Sequence, residues 1–146
     1  PVDSPKFPYK LSWMSRLKNH AKSLLSHEEA IILGGDYNVI PTDEDVYDAE
    51  AWKGDALCMP ETREKFREII YLGYTEAFRA LHTGAEHYTF WDYQGRAFES
   101  DRGLRIDHFL LSPQATDRLA KCNIDPVPRG WKKASDHTPV ICELTD

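Results

Sequence analysis

The apolar residues Leu11, Met14, Leu17, Ala21, Leu24 and Leu25 recur at helical spacing, with Lys10, Arg16, Lys18, Asn19 and Lys22 mostly on the other faces. That pattern predicts an amphipathic helix over residues 9–26. The first ten residues hold Pro1, Pro5 and Pro8 and are expected to be extended. Ala30-Ile31-Ile32-Leu33 is a short apolar run ended by Gly34-Gly35, which predicts a buried strand. A polar stretch rich in Asp and Glu follows over residues 41–60, and a loop of that length is more often functional than idle. A second helix is predicted over residues 61–72, with Phe66, Ile69 and Ile70 inward and Gly73 as its stop. Thr75 is placed to cap a short helix running through Leu81. Residues 88–93 are aromatic and β-prone, and residues 104–111 predict another strand. Ser112-Pro113 opens a helix ending near Leu119, and residues 138–144 predict the last strand.

The strand at 104–111 shows Ile106, His108 and Leu110 to one face and Asp107, Phe109 and Leu111 to the other. Both faces are largely apolar, so both should be covered. Only three or four helices are on hand for that. A further layer is therefore expected to be missing or supplied by a partner.

Composition narrows the class. The chain has 146 residues, 41% hydrophobic, 29% charged and 12% aromatic, which fits one globular domain with a real core and excludes a disordered chain. No run approaches the roughly 18 apolar residues that span a bilayer, so no membrane partner is expected. The opening PVDSPKFPYK lacks the apolar segment of a signal peptide and lacks an initiator methionine, so the chain is expected to be a fragment. Cys58, Cys122 and Cys142 are odd in number and none sit at CxxC spacing. Free thiols in a reducing cytoplasm are expected rather than a disulfide framework or a zinc site. A net charge of −6 argues against a basic nucleic-acid stripe. It is compatible with acids gathered round metal ions, which reverse the local sign.

Four segments carry candidate chemistry. Gly34-Gly35-Asp36-Tyr37-Asn38 takes an acid and an amide off the end of a strand, which is also ordinary turn composition. In Arg105-Ile106-Asp107-His108 an acid stands inside an apolar strand and needs a partner, to which a salt bridge is the plain answer. Ser135-Asp136-His137 sets two titratable groups at the mouth of the last strand, where a turn with an exposed histidine is the plain reading. The aromatics of Tyr88-Thr89-Phe90-Trp91 are most simply core. Taken together, three acids, an amide and an imidazole at strand ends suit a hard divalent cation with a carboxylate-oriented base, and suit zinc poorly.

In their order and spacing, GDYN, YTFWDY, RIDHFLLS and SDHTPV resemble the exonuclease III family of apurinic/apyrimidinic endonucleases, within the endonuclease/exonuclease/phosphatase superfamily. KFPYKLSWMSRL is similar to the middle region of bacterial members. The resemblance implies an α/β fold, half of a four-layer α/β sandwich with a mixed, mainly antiparallel sheet and flanking helices. Residues 1–146 would be its C-terminal portion, and the missing N-terminal half would be a partner carrying an asparagine motif, a glutamate metal ligand and a tyrosine. It implies a Mg²⁺-dependent DNA-repair nuclease, with Mn²⁺ as the alternative ion, acting on double-stranded DNA at abasic sites and 3′ ends.

By the same resemblance, Asp36, Asn38, Asp107 and His137 are catalytic. Asp36 contacts the attacking water or the leaving oxygen, Asn38 the scissile phosphate, and Asp107 orients His137 against that phosphate. Asp36, Asn38, Asp136 and His137 are the metal contacts. Phe90, Leu104 and Ile106 match positions lining a slot for an abasic sugar, with Trp91 as core support. Arg102 and Arg105 are assigned either to DNA phosphates or to local salt bridges. A cytoplasmic, nucleoid-associated bacterial location goes with this reading. Inositol phosphatases and lipid phosphodiesterases of the superfamily share GD-x-N and SDH, which leaves them as an alternative. A third reading is an inactive fragment that self-associates through an uncovered sheet face, and the isolated chain is expected to have little activity.

Overall fold

The computed structural model describes residues 1–146. Helix α1 spans Lys6–Leu25, so it begins three residues earlier than the periodicity predicts. Pro8 falls in its first turn, where the missing N–H has no intrahelical partner to lose. Strand β1, Ile32–Asp36, runs through the glycines that were expected to end it. Gly34 lies under the Phe109 ring, where a Cβ would meet ring carbons at 2.6 Å. Close approach, not strand termination, explains that glycine.

The acidic stretch is structured. A 3₁₀ turn at Asp43–Asp45 carries a reciprocal cap between Thr42 and Asp45, and a short helix α2, Ala49–Trp52, is capped by Asp48. Helix α3 follows at Pro60–Tyr71. Thr75 then pairs in a two-residue strand β2, Thr75–Glu76, so the cap of helix α4, Ala77–Leu81, is Glu76 instead. Residues 88–93 do not form a strand; Phe90 makes isolated bridges to Leu104 and His137. Strand β3 is Asp107–Leu111 and helix α5 is Pro113–Thr116, capped by Ser112. Strand β4, Leu119–Ile124, was not anticipated: a register shift between Leu119 and Lys121 breaks the alternation that marks a strand. Strand β5 is Val140–Leu144.

The strands form two antiparallel sheets, β1-β3-β2 and β4-β5. Leu33 and Leu110 pack with Met14, Ala21, Phe66 and Ile69 of α1 and α3. Met14, Phe66, Ile69 and Leu110 are at most 1% exposed, each burial stabilising by roughly 1.5–3 kcal/mol. On the other side, Leu111 packs with Phe78, Ala115 and Cys122, and with Phe109 and Cys142 at its margin. That cover is incomplete. Phe109 is only half-buried and Ile32 is 42% exposed, in line with a strand face made to be covered; Ile141, 48% exposed, points the other way, beside Asn123 on the outer face of β4-β5.

Behind the strand ends lies a buried ionic network. Asp45, 0% exposed, takes Arg105 Nε and Arg79 Nη2 on one oxygen, each at 2.7 Å. Arg105 also pairs with Glu76 at 3.0 Å and touches His108 Nδ1 at 3.3 Å. The other His108 nitrogen bonds the Val39 carbonyl at 2.9 Å. Burial alone would raise the carboxyls of Asp45 and Glu76, but their hydrogen bonds and charges from Arg105, Arg79 and His108 hold both below their ordinary values.

Candidate active site

Antiparallel pairing sets Asp36, the last residue of β1, opposite Asp107, the first of β3. The segment leading into β5 then brings His137 alongside, through its bridge to Phe90. His137 Nδ1 lies 2.8 Å from Asp107 Oδ2, and His137 Nε2 lies 3.7 Å from Asp36 Oδ2. One donor atom from each of the three falls within 4.8 Å of the others. The Nδ1–H···carboxylate bond fixes the tautomer and leaves Nε2 on the Asp36 side.

The turn after β1 is held locally. Asp36 Oδ1 accepts the Asn38 N–H at 2.8 Å, and Asn38 takes the left-handed region at φ 50°, which asparagine tolerates better than most residues. Burial raises the Asp36 carboxyl above its ordinary value; the Asn38 N–H opposes this and the Asp107 charge adds to it. A carboxylate of raised proton affinity next to an oriented imidazole is equipped for proton transfer. Two carboxylates and an imidazole at this spacing also form a group able to hold a divalent cation, whose charge would favour the ionised carboxylates.

Of the five residues expected to converge, Asp36, Asp107 and His137 do so, and Asn38 adjoins them through its backbone. Asp136 stands outside the group. Its carbonyl accepts the Trp91 N–H at 2.9 Å, and its carboxylate makes no hydrogen bond or ion pair within the chain. Phe90 meets His137 edge-on, ring centroids 5.2 Å apart. With Leu104, Arg102, Tyr47 and Trp52 it walls a cavity of about 310 Å³. Ile106, 2% exposed, sits deeper, in a cluster with Ile40, Val46 and Leu104. Trp91 is core, as expected, at 3% exposure. Arg102 is exposed and donates to the Gly95 carbonyl.

Arg105 requires a correction. Its side chain is 1% exposed and locked between Asp45 and Glu76, so of its two expected roles the salt bridge holds and the DNA contact does not. A guanidinium committed to two buried carboxylates has no route to a phosphate outside.

Two residues near the site escaped the sequence reading. Lys10 projects from α1 and donates to the Asn38 carbonyl, in a cavity of about 500 Å³ shared with Asp36 and Trp13. Burial lowers its ammonium to about 8, against the pull of Asp55 and Asp36. Helical periodicity placed Lys10 on a polar face and held no sign of what that face meets. Thr89, hidden among aromatics, is the second.

Residues 1–137 match the family described as Endonuclease/Exonuclease/phosphatase. Exodeoxyribonuclease III of Haemophilus influenzae is 30% identical over 146 residues, covering 95% of this chain and 55% of that protein. A 3′ phosphatase from Neisseria, solved with a product DNA hairpin, superposes with TM-score 0.95 at 36% identity, over 99% of this chain and 56% of that one. An AP endonuclease from Archaeoglobus fulgidus superposes with TM-score 0.92 at 31% identity, over 98% and 56%. The chain thus spans about half the length of the relatives it matches. Matched from Pro1 to the site histidine itself, it belongs to the endonuclease/exonuclease/phosphatase family, alongside proteins of the exonuclease III type.

Proposed function

We propose that the protein containing this chain hydrolyses phosphodiester bonds in duplex DNA, as an AP endonuclease and 3′–5′ exonuclease of the exonuclease III type. The observation that carries this reading is the His137–Asp107 pair at 2.8 Å with Asp36 beside it at 3.7 Å. Support comes from relatives named as exodeoxyribonucleases and AP endonucleases.

In this reading Asp107 holds His137 Nδ1, and Nε2 faces the phosphate, donating to the charge that develops on its oxygens when the ring is protonated. Asp36 exchanges the proton, taking it from the attacking water or giving it to the leaving oxygen. Proton transfer of this kind is worth about 10²–10⁴ in rate. Asn38 orients the scissile phosphate. Asp36, Asp107 and His137, with Asn38 adjoining through its backbone, would hold Mg²⁺, or Mn²⁺ in its place, which neutralises phosphoryl charge when bound; Asp136, outside that group here, would have to turn inward to join it. Phe90 and Leu104, backed by Ile106, wall a slot for a base-free sugar. Arg102, exposed at the rim of that cavity, would contact a DNA phosphate.

A further polypeptide segment would supply the rest of the site and cover the face bearing Ile32 and Phe109. No helix of the chain is long and apolar enough to cross a membrane, and a DNA substrate in a bacterium puts the work in the cytoplasm.

The test uses the longer protein with three substrates: an abasic duplex, a duplex with a recessed 3′ end, and an inositol polyphosphate. Incision of the abasic duplex that needs Mg²⁺ and stops with chelator is expected. Turnover of the inositol phosphate with both duplexes left intact would replace the nuclease reading with the phosphatase one.

A further inference from the structure

The segment around Thr89 does more than fill the core. It lies between the two stretches that carry the Asp107–His137 pair. On one side the Thr89 and Phe90 N–H groups both donate to the Leu104 carbonyl, at 2.8 and 3.0 Å, and Leu104 N–H returns to Phe90 at 2.9 Å. On the other side Thr138 N–H donates to the Thr89 carbonyl at 2.8 Å, and Trp91 N–H to Asp136 at 2.9 Å.

Thr89 itself is fully buried, at 0% exposure. Its Oγ1 accepts two successive backbone N–H groups, Ile106 at 3.1 Å and Asp107 at 3.3 Å. One residue therefore fixes the peptide of Asp107 with its side chain and the peptide next to His137 with its backbone. A hydrogen bond of 2.8 Å between Asp107 and His137 needs both peptides held within a few tenths of an ångström. A buried oxygen that accepts two N–H groups is also costly to remove, because both donors are left unpaired away from water.

We propose that Thr89 is a positioning residue, whose hydroxyl sets Asp107 against His137 and so keeps the imidazole aligned for phosphate hydrolysis. The catalytic arm of the claim rests on the nuclease reading above; the structural arm does not. The experiment compares Thr89→Val, which keeps the shape and removes the acceptor, with Thr89→Ser, which keeps the acceptor and removes the methyl. Each is made in the longer protein and assayed well below its unfolding midpoint.

Two readouts are taken. The first is the downfield ring-proton resonance of His137 Nδ1–H, the signature of its bond to Asp107. The second is kcat and KM on abasic duplex. The valine variant is expected to lose the resonance and about 10- to 100-fold in kcat with KM within about twofold, as for loss of other residues that orient a site; the serine variant keeps both. A valine variant with resonance and kcat intact overturns the proposal. So does a serine variant as impaired as valine, which would show that the hydroxyl by itself does not hold the pair. If the resonance behaves as expected but no variant or parent cleaves DNA, the positioning role stands and the nuclease reading falls. Should Thr89→Val fail to fold, amide exchange in the unaltered protein and Thr89→Ser decides. Ile106 and Asp107 amides as protected as those of Leu110 and Leu111 support the role, and rapid exchange at both refutes it.

Discussion

Replacing Arg105 by methionine separates a structural arginine from a DNA-binding one. Methionine fills much of the same space and removes the charge. It leaves Asp45, at 0% exposure, with Arg79 as its one remaining cation, and it leaves Glu76 at 9% exposure without its guanidinium partner. Breaking a buried pair on one side costs about 3–5 kcal/mol, because a desolvated charge remains. For a domain near 150 residues each kcal/mol lowers Tm by about 2–4 °C, so a fall of about 6–20 °C is expected. The loss should also depend on pH. Asp45 and Glu76 are held below their ordinary values, so their contribution is present above about pH 4.5 and drains away as pH falls through the folded-state values. The gap between Arg105→Met and the unaltered protein therefore narrows in acid. Thermal unfolding by circular dichroism from pH 3.5 to 7 measures both effects. An unchanged Tm, with weaker DNA binding and a salt slope reduced by about one, would restore the phosphate contact and refute the buried-network account.

Further outcomes follow from single features of the fold. Gly34→Ala is expected to cost about 1–3 kcal/mol in denaturant unfolding by pushing a Cβ into the Phe109 ring, and Phe109→Ala in the same chain should relieve it; no relief would remove the close approach as the cause. Lys10 loses its proton near pH 8 in the fold and near 10.5 when unfolded, so its charged form is a cost below about pH 8 that fades by about 10.5. The Tm advantage of Lys10→Met should shrink across that window, and a constant difference would contradict the burial of the amine. The isolated 146-residue chain, with Ile32 exposed and Phe109 half-buried on an incompletely covered face, is expected to self-associate and to show little nicking. A monodisperse monomer by light scattering, or Mg²⁺-dependent nicking free of longer contaminant, would count against it.

The sequence was most readable where chemistry sits on a regular element. Asp36 and Asp107 mark the paired ends of β1 and β3, and His137 precedes β5, so polar motifs beside apolar runs led directly to the site. The resemblance of four motifs in order added roles that no spacing carries. Legibility failed where the partner is distant. Asp45 and Arg105 are 60 residues apart, and each alone reads as a surface charge. Glycine misled at Gly34, where a ring packs over the backbone, and strand β4 was hidden by its register shift. Thr89 carries no signal among its aromatic neighbours, because its role depends on which two peptides meet its oxygen.

In the proposed mechanism Asp107 and His137 act through one another. The decisive measurement is a double-mutant cycle of Asp107→Asn and His137→Ala in the longer protein, read as kcat/KM for incision of an abasic duplex. Residues that work as a unit are strongly non-additive. The double variant is therefore expected to be no slower than His137→Ala alone. Losses that multiply, or a His137→Ala variant that incises at the full rate, would show that the 2.8 Å pair is not the working part of the site.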